Sequence, residues 1–119
     1  MGREATTYFL FKPDDWLSSA SITEMSPAQE GAYIRLLCYA WNKPGCVLPS
    51  NDKALAKLSR LGKRWGSLGP AIKKCFVKQG GGLVNLRLLK EWERQQRFLE
   101  RCRKAGEKGA KKRWHPELG

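Results

Sequence analysis

The chain has 119 residues, enough for one domain with a core of its own and too few to house a second comfortably. It carries 23 Lys and Arg against 11 Asp and Glu, a net charge of +12, which for a soluble protein selects polyanions as partners, nucleic acid ahead of anionic membrane. A membrane span is excluded, because the most apolar stretch, residues 30 to 49, is broken by Arg35, Asn42, Lys43 and Pro44 well short of the ~18 uninterrupted apolar residues required.

In chain order, YFLF at 8 to 11 followed by KPDDW predicts a short strand ending in a proline turn. Ser26, Pro27 and Gln29 then occupy the N-cap, first and third positions of a helix, a capping box with proline where its missing N–H does no harm. From Pro27 to about Trp41 the apolar set Tyr33, Ile34, Leu36, Leu37, Cys38, Ala40 and Trp41 covers most of the circumference. Only Gly31, Arg35 and Asn42 remain as a polar stripe, the pattern of a central core helix. Asn42-Lys43-Pro44-Gly45 stops it, and a short extended piece, CVLP, follows. Ser50 is placed to cap a second helix over about 51 to 61, with Leu55, Leu58 and Leu61 inside and Lys53, Lys57 and Arg60 sharing one exposed face. A third helical segment lies between Lys63 and Cys75, with Trp65, Leu68, Ile72 and Cys75 at helical spacing. Gly66, Gly69 and Pro70 leave two options, a break near 69 or a helix that begins at Pro70. FVKQGGGLVNL, 76 to 86, reads as a hairpin turning at Gly80-Gly81-Gly82. Asn85 caps a last helix running to about Lys104, with Leu89, Trp92, Leu99 and Cys102 on its contact side. Residues 105–119 read as a basic flexible tail, and residues 1–104 as a single winged-helix-like domain.

The fold class expected is therefore mainly α with a small β-hairpin. Three helices followed by a two-stranded wing make a winged helix-turn-helix, here with an N-terminal strand and a C-terminal basic helix. MGREATTYFLFKPDDW lacks the pattern of a secretory signal, so a cytoplasmic protein of a bacterial or phage-infected cell is expected, with reduced cysteines. Cys38, Cys46, Cys75 and Cys102 form no C-x-x-C pair and His115 is the sole histidine, so the thiols read as small apolar residues and no metal or other cofactor is expected.

FLFKPDDWLSS, MSPAQEGAYIRLLCYAWNKPGCVLP and GGLVNLRLLKEWERQ resemble the YdaU-like, prophage-borne domain of unknown function, over roughly residues 8 to 104. The resemblance implies a winged-helix protein related to the DNA-binding part of replication initiators or primosome components. It supplies no catalytic residues.

The charge is unevenly placed. Residues 1 to 52 carry four basic and six acidic side chains, 53 to 90 ten and none, and 91 to 119 nine and five. Lys90, Arg94, Arg97, Arg101, Lys104, Lys108 and Lys111 are spaced alternately 4 and 3, so a continuous helix projects them from one face about 30 Å long. Against this phosphate track stands a blander reading, in which Glu93 with Arg97, Glu100 with Lys104 and Glu107 with Lys111 are i, i+4 pairs on a solvated helix. Those pairs leave Lys90, Arg94, Arg101 and Lys108 unneutralised. On duplex DNA, preferred here to single strands or RNA, Arg64, Lys73 and Lys74 are expected at the major groove. Lys78 would lie on the wing, with Lys53, Lys57 and Arg60 on phosphates. Bidentate guanine readout would rest chiefly on Arg64. Trp16, Trp41, Trp65 and Trp92 sit in apolar patterns and read as core, whereas Trp114 lies among Lys111, Lys112 and Arg113, either inserted into a partner or idle.

An enzyme would have to use Asp14, Asp15, Glu24 and Glu30 as metal ligands, with no P-loop or Ser/His/Asp set beside them, so no catalysis is expected. The sequence points to a phage- or prophage-type DNA-binding protein of replication initiation. The alternatives are an interaction module docking on a host or phage replication protein, or a transcriptional regulator.

Overall fold

A computed structural model of the chain describes residues 8–114, with side chains as far as Glu107. It is mainly helical with one small antiparallel hairpin. Pro13 at the first helical position, with Asp14 and Asp15 in the first turn at the positive end of the helix dipole, opens α1 (Pro13–Ser18). Ser19 accepts from the Ile22 N–H and caps the one-turn α2 (Ala20–Thr23). The capping box forms as expected at the start of α3 (Pro27–Trp41): Ser26 Oγ accepts from Gln29 N at 3.2 Å, and Gln29 Oε1 from Ser26 N at 2.8 Å. This central helix buries Ala32, Tyr33, Leu36, Leu37, Ala40 and Trp41 and leaves Gly31, Arg35 and Asn42 exposed.

After a 3₁₀ turn at Pro44–Cys46, Leu48 pairs antiparallel with Leu83, each N–H reaching the other's carbonyl at 2.8 Å. Helix α4 (Asp52–Ser59) is capped by Asn51, whose Oδ1 accepts from Lys53 N and Ala54 N; Ser50, the expected cap, lies one residue outside. A 3₁₀ turn at Gly62–Arg64 leads into α5 (Trp65–Lys73), which runs straight through Gly69 and Pro70, so neither expected interruption occurs. Packing overrides propensity there. Trp65, Gly69 and Ile72 are buried, and a Cβ on Gly69 would come within 2.6 Å of the Trp65 ring.

The hairpin joins β1 (Val77–Gln79) to β2 (Gly82–Val84), with Val77 opposite Val84. Gly80 and Gly81 turn it at φ 61° and 81°, the double positive φ of a two-residue loop. Gly82 serves another purpose: a Cβ there would sit 2.2 Å from the Leu48 carbonyl oxygen, so glycine lets the third strand segment approach.

Helix α6 (Leu86–Trp114) is the longest element. Leu88 and Gln95 are buried, and Leu89, Trp92 and Leu99 half-buried, but every residue from Glu100 to Glu107 is exposed. The helix thus leaves the body after Leu99. This explains a radius of gyration of 18.9 Å and extents of 68 × 31 × 20 Å, where a compact chain of this length would have a radius of about 13–14 Å.

Several expectations are corrected. Residues 8 to 11 form no strand. The Leu10 N–H bonds the Glu91 carboxylate, the Tyr8 carbonyl lies 3.5 Å from Gln95 Nε2, and Phe9 packs on Trp41 at 5.4 Å, so α6 and α3 take up what a sheet would have used. KPDDW is the start of a helix instead of a turn. The last helix passes Lys104 and continues to Trp114; of the expected flexible tail, 115–119 lie outside the described residues. Cys46 is fully buried, but Cys38 and Cys102 are exposed, the latter because α6 has already left the body. Among the described residues no helix is long and apolar enough to cross a membrane.

The junction that sets the direction of α6 is Asn85. Its Oδ1 accepts from Leu88 N at 2.9 Å, the expected cap, while its Nδ2 donates to Tyr33 Oη at 2.8 Å and to the Cys75 carbonyl at 3.0 Å. Burial, with the neighbouring Cys75 thiol next, pushes the Tyr33 hydroxyl up to about 12 and keeps it neutral as the acceptor. Replacing Asn85 with Ala removes a cap worth ~1 kcal/mol and leaves two buried groups short of a partner, so a loss of about 3 kcal/mol is expected from urea midpoints. Gly82→Ala should cost about 2 kcal/mol through overpacking, whereas Gly66→Ala on α5, where a Cβ meets nothing within 4 Å, should be neutral or stabilising in the same assay.

Candidate nucleic-acid interface

The cations fall into two groups. The first surrounds α4, α5 and the hairpin. Lys53 and Lys57 are exposed on α4, while Arg60 ends that helix in the left-handed conformation at φ 69° and so departs from the single helical face expected. Arg64, exposed in the turn before α5, and Lys74, exposed at its end, are available to a ligand, as is Lys78 on β1. Lys73 is not. Its Nζ lies 3.1 Å from Asp52 Oδ1, which also accepts from Trp65 Nε1 at 3.0 Å. The Trp65 indole first, and Lys73 second, hold the Asp52 carboxyl below its ordinary range. Lys73 thus joins the start of α4 to α5 and positions the latter.

The second group lies along α6. Lys90, Arg94, Arg97, Arg101 and Lys104 are exposed on one face, which extends about 21 Å from first to last. The side chain of Lys108 lies outside the described residues, as do those of Lys111 and Trp114. The ion pairs differ from those expected. Among the described residues Glu93 and Arg97 make none, whereas Glu91 takes Arg94 in a two-point contact of 3.0 and 2.9 Å, and Glu100 pairs with Arg103 in place of Lys104. The spacing of three suits arginine's reach, and Glu91 gains Gln95 Nε2 at 2.8 Å as well. Arg94 next to it, with Gln95 adding, keeps the Glu91 carboxyl below the usual range. Among the described stripe residues Lys90, Arg97 and Arg101 therefore make no ion pair, and Lys104 acts on Glu100 only at longer range, after Arg103.

No family model, curated protein or solved structure matches the chain.

Two of the four acids that a metal site would have needed are engaged elsewhere. Asp15 pairs with Arg87 at 2.9 Å, and Glu30 accepts from Trp16 Nε1 at 2.9 Å. Among the described residues no three His, Cys, Asp or Glu side chains gather as a metal group. The four tryptophans read as core lie inside or at its edge, Trp41 and Trp65 buried and Trp16 and Trp92 half-buried. Among the described residues the rings that face solvent are Tyr8, Phe11, Tyr39 and Phe98, of which Tyr8, Phe11 and Phe98 are the more exposed, at 69%, 46% and 51%.

The Asp52 contact makes a pH prediction. A carboxyl lowered on folding contributes stability above its unfolded pKa, near 4, that is lost as pH falls through the folded value. Asp52→Asn should therefore be less stable than the parent at pH 7, and the gap should close below about pH 4, as read from urea melts at both pH values.

Proposed function

We propose that this protein is a winged-helix DNA-binding protein of the YdaU-like, prophage-borne kind, acting on duplex DNA in replication initiation in the cytoplasm of a bacterial or phage-infected cell, with no chemistry of its own. The observation that carries the reading is the row of exposed, unpaired cations on α6, together with ten basic and no acidic residues from Lys53 to Lys90. The order α3, Leu48 segment, α4, α5, hairpin supports the winged-helix assignment, because Leu48 pairs with Leu83 and gives the hairpin the third, short strand such a fold uses. On this reading α5 is the recognition helix. Gly66, with open space around its Cα, permits close backbone approach, and Arg64 and Lys74 flank it.

Lysines on a groove-facing surface mainly hold phosphates, so most of the affinity is electrostatic and sequence-independent. Arg64 is the residue able to read a guanine edge. Lys73 acts indirectly, through Asp52.

A second reading, an interaction module for a replication protein, draws on an apolar groove of about 700 Å³ above the outer face of α3, between Gly31, Ile34 and Cys38 and the rings of Phe9 and Trp41. A transcriptional regulator would use the same surface as the main proposal.

Binding to labelled duplex at several salt concentrations tests these readings. Replacing Lys53, Lys57 and Arg60 together with Ala should weaken binding to all sequences and flatten the plot of log K against log salt by up to about 2.7, at ~0.9 for each phosphate no longer neutralised. Arg64→Ala should also relax any base preference. An unchanged slope in the triple variant removes α4 from the contact surface, and binding abolished by modest salt favours the interaction module.

A further inference from the structure

The first turns of α6 form one wall of a groove of about 470 Å³, with the chain from Phe9 to Lys12 as the other. Its mouth carries cations of both walls. Asp15 and Glu91, the acids that line it, are already paired with Arg87 and Arg94, so Lys12, Lys90 and Arg97 have no ion-pair partner among the described residues.

Its aromatic content has a particular arrangement. Phe76 meets Tyr33 edge-on at 5.9 Å, Tyr33 stacks on Trp16 at 5.5 Å and 18°, and Trp16 meets Phe11 at 5.4 Å. The rings make a column from the core to the surface. Trp16 is fixed within it by its hydrogen bond to Glu30, and the column ends at Phe11, 46% exposed. An exposed ring backed by a second ring that is itself held in place, bordered by cations without an ion pair, is the combination that holds a base by its face and its phosphates by charge.

We propose that this groove binds the unpaired strand of a partly opened DNA duplex, with a base stacked on Phe11 and phosphates held by Lys90 and Arg97. This rests on the DNA-binding reading above and adds a second kind of contact to it. A base within a duplex has both faces covered by its neighbours, so only an unpaired one extends the column. An apolar peptide would cover Phe11 and Leu10 but leave the three cations unanswered.

The test measures binding of labelled oligo(dT) and of a blunt duplex to the full chain and its variants. Phe11→Ala should weaken oligo(dT) binding about tenfold, the loss of one stacked base, with duplex binding unchanged. Phe11→Tyr should keep wild-type affinity and Phe11→Leu should not, a comparison that holds even where alanine perturbs folding. Lys90→Ala with Arg97→Ala should flatten the salt dependence for oligo(dT). Equal affinity of the Tyr and Leu variants overturns the stacking role. Duplex binding without oligo(dT) binding overturns the groove while leaving the DNA reading standing, and failure to bind either overturns both.

Discussion

Asn85 is the contact on which the remaining geometry depends. It ends β2, starts α6, and reaches both the central helix, through Tyr33, and the end of α5, through the Cys75 carbonyl. A side-chain amide has two donors and an acceptor with two lone pairs, and this one joins three elements at a buried point. An aspartate could cap α6 equally well but would offer no donor to Tyr33 or Cys75 and would bring a charge into the core. The entry angle of α6, and therefore the direction in which its cations project, follows from one residue's ability to donate and accept at once.

The helix that leaves this junction is divided between two environments. As far as Leu99 its inner side is covered by the body, and its exposed flank carries Lys90, Arg94 and Arg97; from Glu100 to Glu107 every residue is exposed. An isolated helix of that length is marginal in water because nucleation is costly, but here the docked turns supply the nucleus and the free turns need only propagate. Gly106 and Gly109 weaken propagation by up to about 1 kcal/mol each, and neighbouring cations repel one another. A polyanion lying along the stripe would remove that repulsion, so the proposed binding would be coupled to helix stability in the segment where packing contributes least.

Local signals were the legible ones. Ser26 with Gln29, Asn85 before an apolar run, and paired glycines between strands each state their structure within four residues, and all three are found. The errors came where one residue pattern had two physical uses. Lys-Pro-Asp-Asp fits a turn and equally a helix start with Pro at the first position. Gly69-Pro70 reads as a break, but Trp65 lying against Gly69 keeps α5 whole. YFLF is strand-like in composition, yet a strand needs a partner edge, and its backbone found Glu91 and Gln95, some eighty residues away. On the candidate interface, the seven-residue rhythm of the α6 stripe was visible in the sequence. That Arg94 and Lys73 are engaged by Glu91 and Asp52 depends on side-chain reach and tertiary approach, which spacing does not encode.

Those engagements explain why so large a cationic excess is compatible with a folded chain. Asp15, Glu30, Asp52, Glu91 and Glu100, five of the eleven acids, each hold a named partner. Two of them fix a tryptophan indole, and Glu91 also ties down the chain at Leu10. Asp15, Glu30 and Asp52 thus fasten one element to another, while Glu91 and Glu100 take arginines of α6 itself. Because three acids are placed where they join elements, and the pairs on α6 take only Arg94 and Arg103 among the described residues, the remaining exposed cations of α6, α4 and the hairpin keep their field. Moving Glu93 or Glu107 onto the stripe would do little to the fold but would cancel part of that field, since a screened charge pair is worth most to whatever lies within about 8–10 Å. The acid-free run from Lys53 to Lys90 and the cations of α6 that no carboxylate takes are the physical basis of the proposed polyanion contact.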